Sequence, residues 1–126
     1  MTLFVDVDDT LVLFKRKDGT VLPGPHPYGS GPDVASYAHN VALVQAILTW
    51  ANQHRQERVV VWSGGGGEYA ARWRDEIFTG VGPLVCLMKN TDLPAPGDIC
   101  VDDMPLRTAG RVVTWQEFVA EVHGAG

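Results

Sequence analysis

The chain is poor in the residues that would staple it or anchor it. Only two cysteines occur among 126 residues, Cys86 and Cys100, and both sit in apolar runs, Leu84-Val85-Cys86-Leu87 and Ile99-Cys100-Val101. Buried free thiols are the usual outcome there, so the sequence reads as a reduced protein and not as a disulfide scaffold. No apolar run approaches the ~20 residues that span a bilayer. The opening Leu3-Phe4-Val5 is interrupted by Asp6 and lacks a basic leader, so neither a signal peptide nor a membrane partner is expected. Basic charge is scarce too. A formal net charge of -5 argues against a generally basic, nucleic-acid-type surface, and Lys89 is the only lysine after Lys17. His26, His39, His54 and His123 have no ligand-like spacing, which argues against a histidine metal site. The run Gly64 to Gly67 is not followed by Gly-Lys-Ser/Thr, which excludes a Walker A loop. The expectation is a soluble, cytoplasmic protein.

What is present suits one domain over residues 1–126. With 45% hydrophobic and 20% charged residues, the chain can bury a core without staples. Apolar runs rich in β-branched residues occur at Thr2–Val7, Val59–Trp62, Pro83–Leu87, Ile99–Val101 and Arg111–Thr114, and such runs suit strands buried on both faces. Helical spacing separates several of them. Tyr37, Val41, Val44, Leu48 and Ala51 recur at three- and four-residue steps, with Asn40 or Asp33 as a cap and an end near His54. Tyr69, Trp73 and Ile77 follow the glycine run, and Trp115–Val122 follows Thr114 as N-cap. Strand and helix alternate, which predicts an α/β fold: a doubly wound, Rossmann-like parallel sheet with helices on both faces. One stretch departs from the alternation. Asp18-Gly19 between Phe14-Lys15-Arg16-Lys17 and Thr20-Val21-Leu22 reads as a hairpin turn. A small β-hairpin flap and irregular loop over about residues 14–36, with no separate cap domain, is therefore expected.

Val5-Asp6-Val7-Asp8-Asp9-Thr10 puts acids where the first hydrophobic strand runs out. Asp6 and Asp8, two apart on an extended chain, point to the same side. Carboxylates so placed repel one another unless a cation or a proton intervenes, and both remedies serve phosphoryl chemistry. An acidic turn alone can equally be a solvated turn or a helix cap. Company at the ends of later strands changes the balance: Ser63 and Gly64 to Gly67 after the second, Lys89 after the third, Asp102-Asp103 after the fourth.

Asp6-Val7-Asp8-Asp9-Thr10, Ser63, Lys89 and Asp102-Asp103, in that order, resemble the four motifs of the haloacid dehalogenase superfamily, and the match spans most of the chain. Small capless phage-type members are the nearest in character. Asp9 departs from the pattern, since the family often has Gly there. The resemblance implies a magnesium-dependent phosphomonoester hydrolase. Asp6 is then the nucleophile that forms an aspartyl-phosphate, and Asp8 is general acid and then general base. An acid at Asp8 resembles the phosphatase branch and not the halide-displacing one. Mg2+ would be held by Asp6, the backbone carbonyl of Asp8 and Asp102, with Asp103 supporting a metal-bound water or, as the alternative, ligating directly. Ser63, Gly64 and the following helix N-terminus would bind phosphate, Lys89 would balance the charge, and Thr10 would brace the loop around Asp8.

A receiver module also joins acids, a hydroxyl and a lysine on such a sheet, but it carries its acidic pair first and its lysine last, whereas Asp102-Asp103 follow Lys89 here. A catalytically inactive phosphate-binding module of similar fold is the other alternative. The substrate expected from the resemblance is a nucleotide or a nucleic-acid 3′-end phosphate. Lys15, Arg16 and Lys17 on the flap, and His26 beyond it, are candidate substrate contacts or plain surface.

Overall fold

The computed structural model describes residues 1–16, 34–79 and 84–124. Along the chain run β1 (Thr2–Asp6), β2 (Val12–Arg16), β3 (Val34–His39), α1 (Val41–Gln53), β4 (Arg58–Ser63), α2 (Gly67–Ile77), β5 (Val85–Met88), β6 (Ile99–Val101), β7 (Arg111–Val113) and α3 (Trp115–Gly124). Five strands form one parallel sheet in the order β5-β4-β1-β6-β7. β1, β4 and β6 in the middle are apolar, largely buried runs of the kind a doubly covered strand needs, whereas the edge strands β5 and β7 are partly exposed. The chain leaves β1 first for β4 and β5 on one side and later for β6 and β7 on the other. Among the described residues, no helix is long and apolar enough to cross a membrane.

The two faces of the sheet are covered differently. On one, Leu3, Val5, Val61 and Val101 meet Leu43, Ala46, Ile47 and Trp50 of α1, Ala70 and Trp73 of α2, and Phe118 and Val122 of α3 in a single buried cluster. On the other, Phe4, Val60, Trp62 and Cys100 are buried against Leu87, Leu106 and Val112. The expectation of helices on both faces therefore needs correction: among the described residues the buried sides of all three helices lie in one cluster, and loops cover the opposite face. The connections at 89–98 and 102–110 are too short for a helix of ordinary length, ~10–14 residues, plus its turns. These loops close tightly over Cys100. A Cβ on Gly110 would come within 3.0 Å of the Pro94 side chain and 3.4 Å of Cys100 Sγ.

The helix caps follow the sequence. Asn40 Oδ1 accepts from Leu43 N at 3.3 Å to open α1, and Thr114 and Glu117 exchange reciprocal bonds of 3.0 and 3.1 Å before α3, a capping box. The buried stripe of α1 differs from the expected one. Val41 and Leu48 are exposed, and Leu43, Ala46, Ile47 and Trp50 face inward. Apolar residues lie nearly all round this helix, so spacing alone allows either stripe.

The hairpin also differs in its partner. β2 pairs antiparallel with β3, Phe14 opposite Tyr37, so Tyr37 belongs to a strand and not to the first helix. The Asp18-Gly19 turn, the strand expected at 20–22, Lys17 and His26 lie outside the described residues. Phe14 and Tyr37 stand edge-on to Trp73, with ring centroids 6.4 and 5.0 Å away. His39 Nε2 lies 2.6 Å from Glu76 Oε2. The hairpin is thereby seated on α2, beside the carboxyl end of β1.

Candidate active site at the carboxyl end of the sheet

β1 stops at Asp6 because the chain turns back at once. Asp9 N donates to Val12 O at 2.8 Å and Val12 N to Val7 O at 3.0 Å, while Val7, Leu11 and Val12 are wholly buried and anchor the turn. Asp9 has φ 60, in the left-handed region. That backbone favours Gly and tolerates Asp, which accounts physically for an Asp where the resembled family often has Gly. Asn40 ties the same turn to α1, its Nδ2 donating to Thr10 O at 2.9 Å. The Thr10 hydroxyl braces the site at a different point from the one expected: it donates to Asp6 Oδ2, at 3.2 Å.

Four of the expected residues meet directly. Lys89 Nζ lies 2.7 Å from Asp6 Oδ1 and 2.8 Å from Asp102 Oδ2. Asp6 and Asp102 are buried, at 4% and 2% exposure, too deep for water to screen their charges. Asp102 is fixed from both sides, its N donating to Val113 O and its Oδ1 accepting from Met104 N, each at 3.0 Å. Oxygens of Asp6, Asp102 and Asp103 lie within 4.8 Å of one another. Three ionised carboxylates against one ammonium would leave an excess of two negative charges, and the electrostatics resist it. Burial, then the Asp102 charge, pushes Asp6 up to about 8 although Lys89 opposes them. Partial desolvation beside Asp102 raises Asp103 as well. For Lys89, burial works against the charge, but Asp6 and Asp102 together outweigh it and raise the ammonium above its usual value. Asp9, half-buried near Asp103 and Asp8, is pushed up to about 6.

The three aspartates are close enough to hold a metal ion. An all-oxygen donor set suits a hard divalent cation, and two positive charges would cancel the excess. Thr10 and Met104 each use one lone pair of Asp6 Oδ2 and Asp102 Oδ1, and a carboxylate oxygen has a second to offer. Asp103, for which direct ligation stands as the alternative to supporting a water, brings its own carboxylate into the cluster. The Asp8 carboxylate stands apart, with its Oδ1 accepting from Tyr69 OH at 2.6 Å.

Ser63 ends β4 buried, at 1% exposure. Its carbonyl accepts from Lys89 N at 2.9 Å, joining the ends of β4 and β5, and its Oγ accepts from Gly65 N at 3.0 Å, so its hydroxyl proton remains to donate. Gly66, the N-cap of α2, has φ 107, a conformation that requires glycine. The start of α2 thus stands next to Ser63, with first-turn amides of the kind that bind anions.

Tyr69 is the member that sequence reasoning missed. It lies in an apolar helical stripe and reads as core, and only its position one turn into the helix after the glycine run hints otherwise. Burial, then the bond to Asp8, raises its phenol well above the ordinary range, so it is a hydrogen-bond donor at any working pH. No protein family, curated protein or solved structure matches this chain.

Proposed function

We propose that the protein is a magnesium-dependent phosphomonoester hydrolase of the haloacid dehalogenase type, acting through an aspartyl-phosphate on Asp6. The observation that carries this reading is the contact of Lys89 with both Asp6 and Asp102, at 2.7 and 2.8 Å, with Asp103 beside them. These residues come from the ends of β1, β5 and β6, at the edge where open α/β sheets hold ligands and beside the strand where the order of connection reverses. That strand order also favours a Rossmann-like description of the sheet, with only one face helix-covered.

Asp6 attacks the phosphorus in line, and the bond from phosphorus to the ester oxygen breaks. Asp8, steered by Tyr69, delivers a proton to the departing alkoxide. In the second half-reaction Asp8 takes a proton from a water molecule that attacks the aspartyl-phosphate, which frees inorganic phosphate and restores Asp6. Lys89, the Ser63 hydroxyl and the first amides of α2 stabilise the phosphoryl oxygens. Asp6, Asp102 and Asp103 would hold Mg2+, which supplies positive charge that keeps Asp6 ionised near neutral pH and offsets the charge of the phosphate.

A panel of phosphate monoesters, assayed with and without Mg2+, tests this on the wild type and Asp6→Asn. The expected outcome is turnover that needs Mg2+, stops with a chelator and is lost in Asp6→Asn, whose circular dichroism stays that of the wild type. Wild-type turnover by Asp6→Asn would contradict the mechanism.

A further inference from the structure

Asp8 stands on one element and the hydroxyl that steers it on another, so the distance between the two elements has to be fixed. The turn after β1 carries Asp8, and α2 carries Tyr69, whose OH donates to Asp8 Oδ1 at 2.6 Å. The end of β3 holds both. Asn40 N donates to Leu11 O at 2.8 Å and Asn40 Nδ2 to Thr10 O at 2.9 Å, which ties the turn. The residue before it, His39, reaches α2, its Nε2 lying 2.6 Å from Glu76 Oε2. Two residues earlier on the same strand, Tyr37 OH donates to Glu76 Oε1 at 3.3 Å. We propose that Glu76 is a positioning residue for the general acid, which with His39 and Tyr37 fixes α2 to the end of β3 and so holds the Tyr69 hydroxyl at its bond to Asp8. The role of Asp8 rests on the phosphatase reading, and Glu76 adds a control on that same site.

The helix carries the constraint from Glu76 to Tyr69. Tyr69, Trp73 and Glu76 follow one another at steps of four and three residues, so they share one face of α2. Trp73, between the other two, is wholly buried. The rings of Tyr37, Phe14 and His39 stand edge-on to it, with centroids 5.0, 6.4 and 6.5 Å away. Such apolar contacts seat the hairpin but are not directional, and they tolerate sliding. The two bonds to Glu76 are directional and set the register of α2 against β3. Tyr69 has no slack on its other side, because a Cβ on Gly65 would come within 3.1 Å of its ring. Its hydroxyl therefore stays at Asp8 only while α2 keeps its place. A carboxyl that gives up a proton in one half-reaction and takes one in the next is sensitive to such placement. A misplacement of ~1 Å arising far from the chemistry can cost ~100-fold in rate.

Glu76 is only partly buried, so Glu76→Ala should fold, and a double-mutant cycle with Tyr69→Phe tests its role. Ethyl phosphate and p-nitrophenyl phosphate are compared in the presence of Mg2+. On ethyl phosphate, whose departure needs the acid, Glu76→Ala should lower kcat about threefold or more with KM nearly constant. On p-nitrophenyl phosphate the change should stay within about twofold. Glu76→Gln, which can still accept from Tyr37, should recover part of the loss. In the Tyr69→Phe background Glu76→Ala should lower kcat no further, because the bond it protects is already gone. Equal losses on the two esters, or a loss that persists undiminished in Tyr69→Phe, would overturn the proposal and leave Glu76 a merely structural part. A second readout needs no turnover. The NMR resonance of Tyr69 Cζ, assigned with Tyr69→Phe, should move in Asp8→Asn and in Glu76→Ala, and a signal that answers to Asp8→Asn alone would also overturn the proposal. A wild type that turns over neither ester would contradict the phosphatase reading, whereas the Tyr69 signal would still decide whether Glu76 sets the bond to Asp8.

Discussion

Asp6 and Asp8 stand two residues apart on the same turn, yet their surroundings have little in common. Asp6 is buried among Lys89, Asp102, Asp103 and the Thr10 hydroxyl, in a cluster with more negative than positive charge. Asp8 is only partly buried and answers to Tyr69 on another element. Two carboxylates can share one reaction only if their environments set them to different tasks, and here the division is built by separate parts of the fold. The sheet edge controls Asp6, while α2 controls Asp8. Perturbing one region should leave the signature of the other readable.

The largest effect is expected at Lys89. Removing one partner of a buried ionic group leaves the others uncompensated, at a cost of about 3–5 kcal/mol. Lys89→Met should lose stability on that scale in metal-free protein above pH 8, where Asp6 is ionised, and regain part of it on addition of a divalent cation. Urea unfolding with and without Mg2+ measures this. A variant as stable as wild type would mean that the cluster is not short of positive charge.

The same shortage predicts how stability depends on pH. Asp6 holds its proton up to about pH 8 in the folded protein, whereas an unfolded aspartate releases it near pH ~3.9. The folded state therefore binds more protons between these values, and the stability contributed by Asp6 is complete below about pH 4 and lost as pH rises toward 8. Metal-free protein should show this decline in chemical denaturation. Asp6→Asn should flatten the slope, and Mg2+ should flatten it in the wild type. A slope unaltered by either would contradict the charge account.

A smaller and more selective change is expected at Tyr69. Tyr69→Phe keeps the ring and removes the bond to Asp8, worth about 1.5–3 kcal/mol when an acceptor is charged. Protonation by Asp8 matters for a poor leaving group and hardly at all for a good one. The variant should therefore lose about tenfold or more in kcat on an alkyl phosphate and change little on p-nitrophenyl phosphate, with KM nearly constant on both. Equal losses on the two esters would assign Tyr69 a merely structural part.

Much of this was legible in the sequence, for identifiable reasons. The strands of the parallel sheet are short β-branched runs, and Asp6, Ser63, Lys89 and Asp102 announce themselves as polar residues just where such runs end. Thr114 and Asn40 mark helix starts because their side chains cap them. The missing parts depend on tertiary choices. The segment Val34–His39 carries Tyr37 at helical spacing from Val41, but pairing with β2 makes it a strand. Helices on both faces were expected from alternation alone, which takes no account of how short the 89–98 and 102–110 connections are. Tyr69 occupies a helical apolar stripe, and nothing local distinguishes a phenol that packs from one that also reaches Asp8. For Asp103, sequence order leaves open whether the carboxylate supports a water or ligates directly, because it cannot say which of two adjacent carboxylates turns into the cluster.

The central claim is that Asp6 itself takes the phosphoryl group. Acid quenching of the enzyme during turnover of a radiolabelled phosphate monoester, followed by peptide mapping of the trapped acyl-phosphate, tests it most directly. The account predicts label on Asp6 alone, absent in Asp6→Asn, and, with an activated ester such as p-nitrophenyl phosphate whose departure needs no acid, increased in Asp8→Asn, which slows the second half-reaction. Label on any other residue, or turnover by Asp6→Asn with the same labelling as wild type, would contradict it.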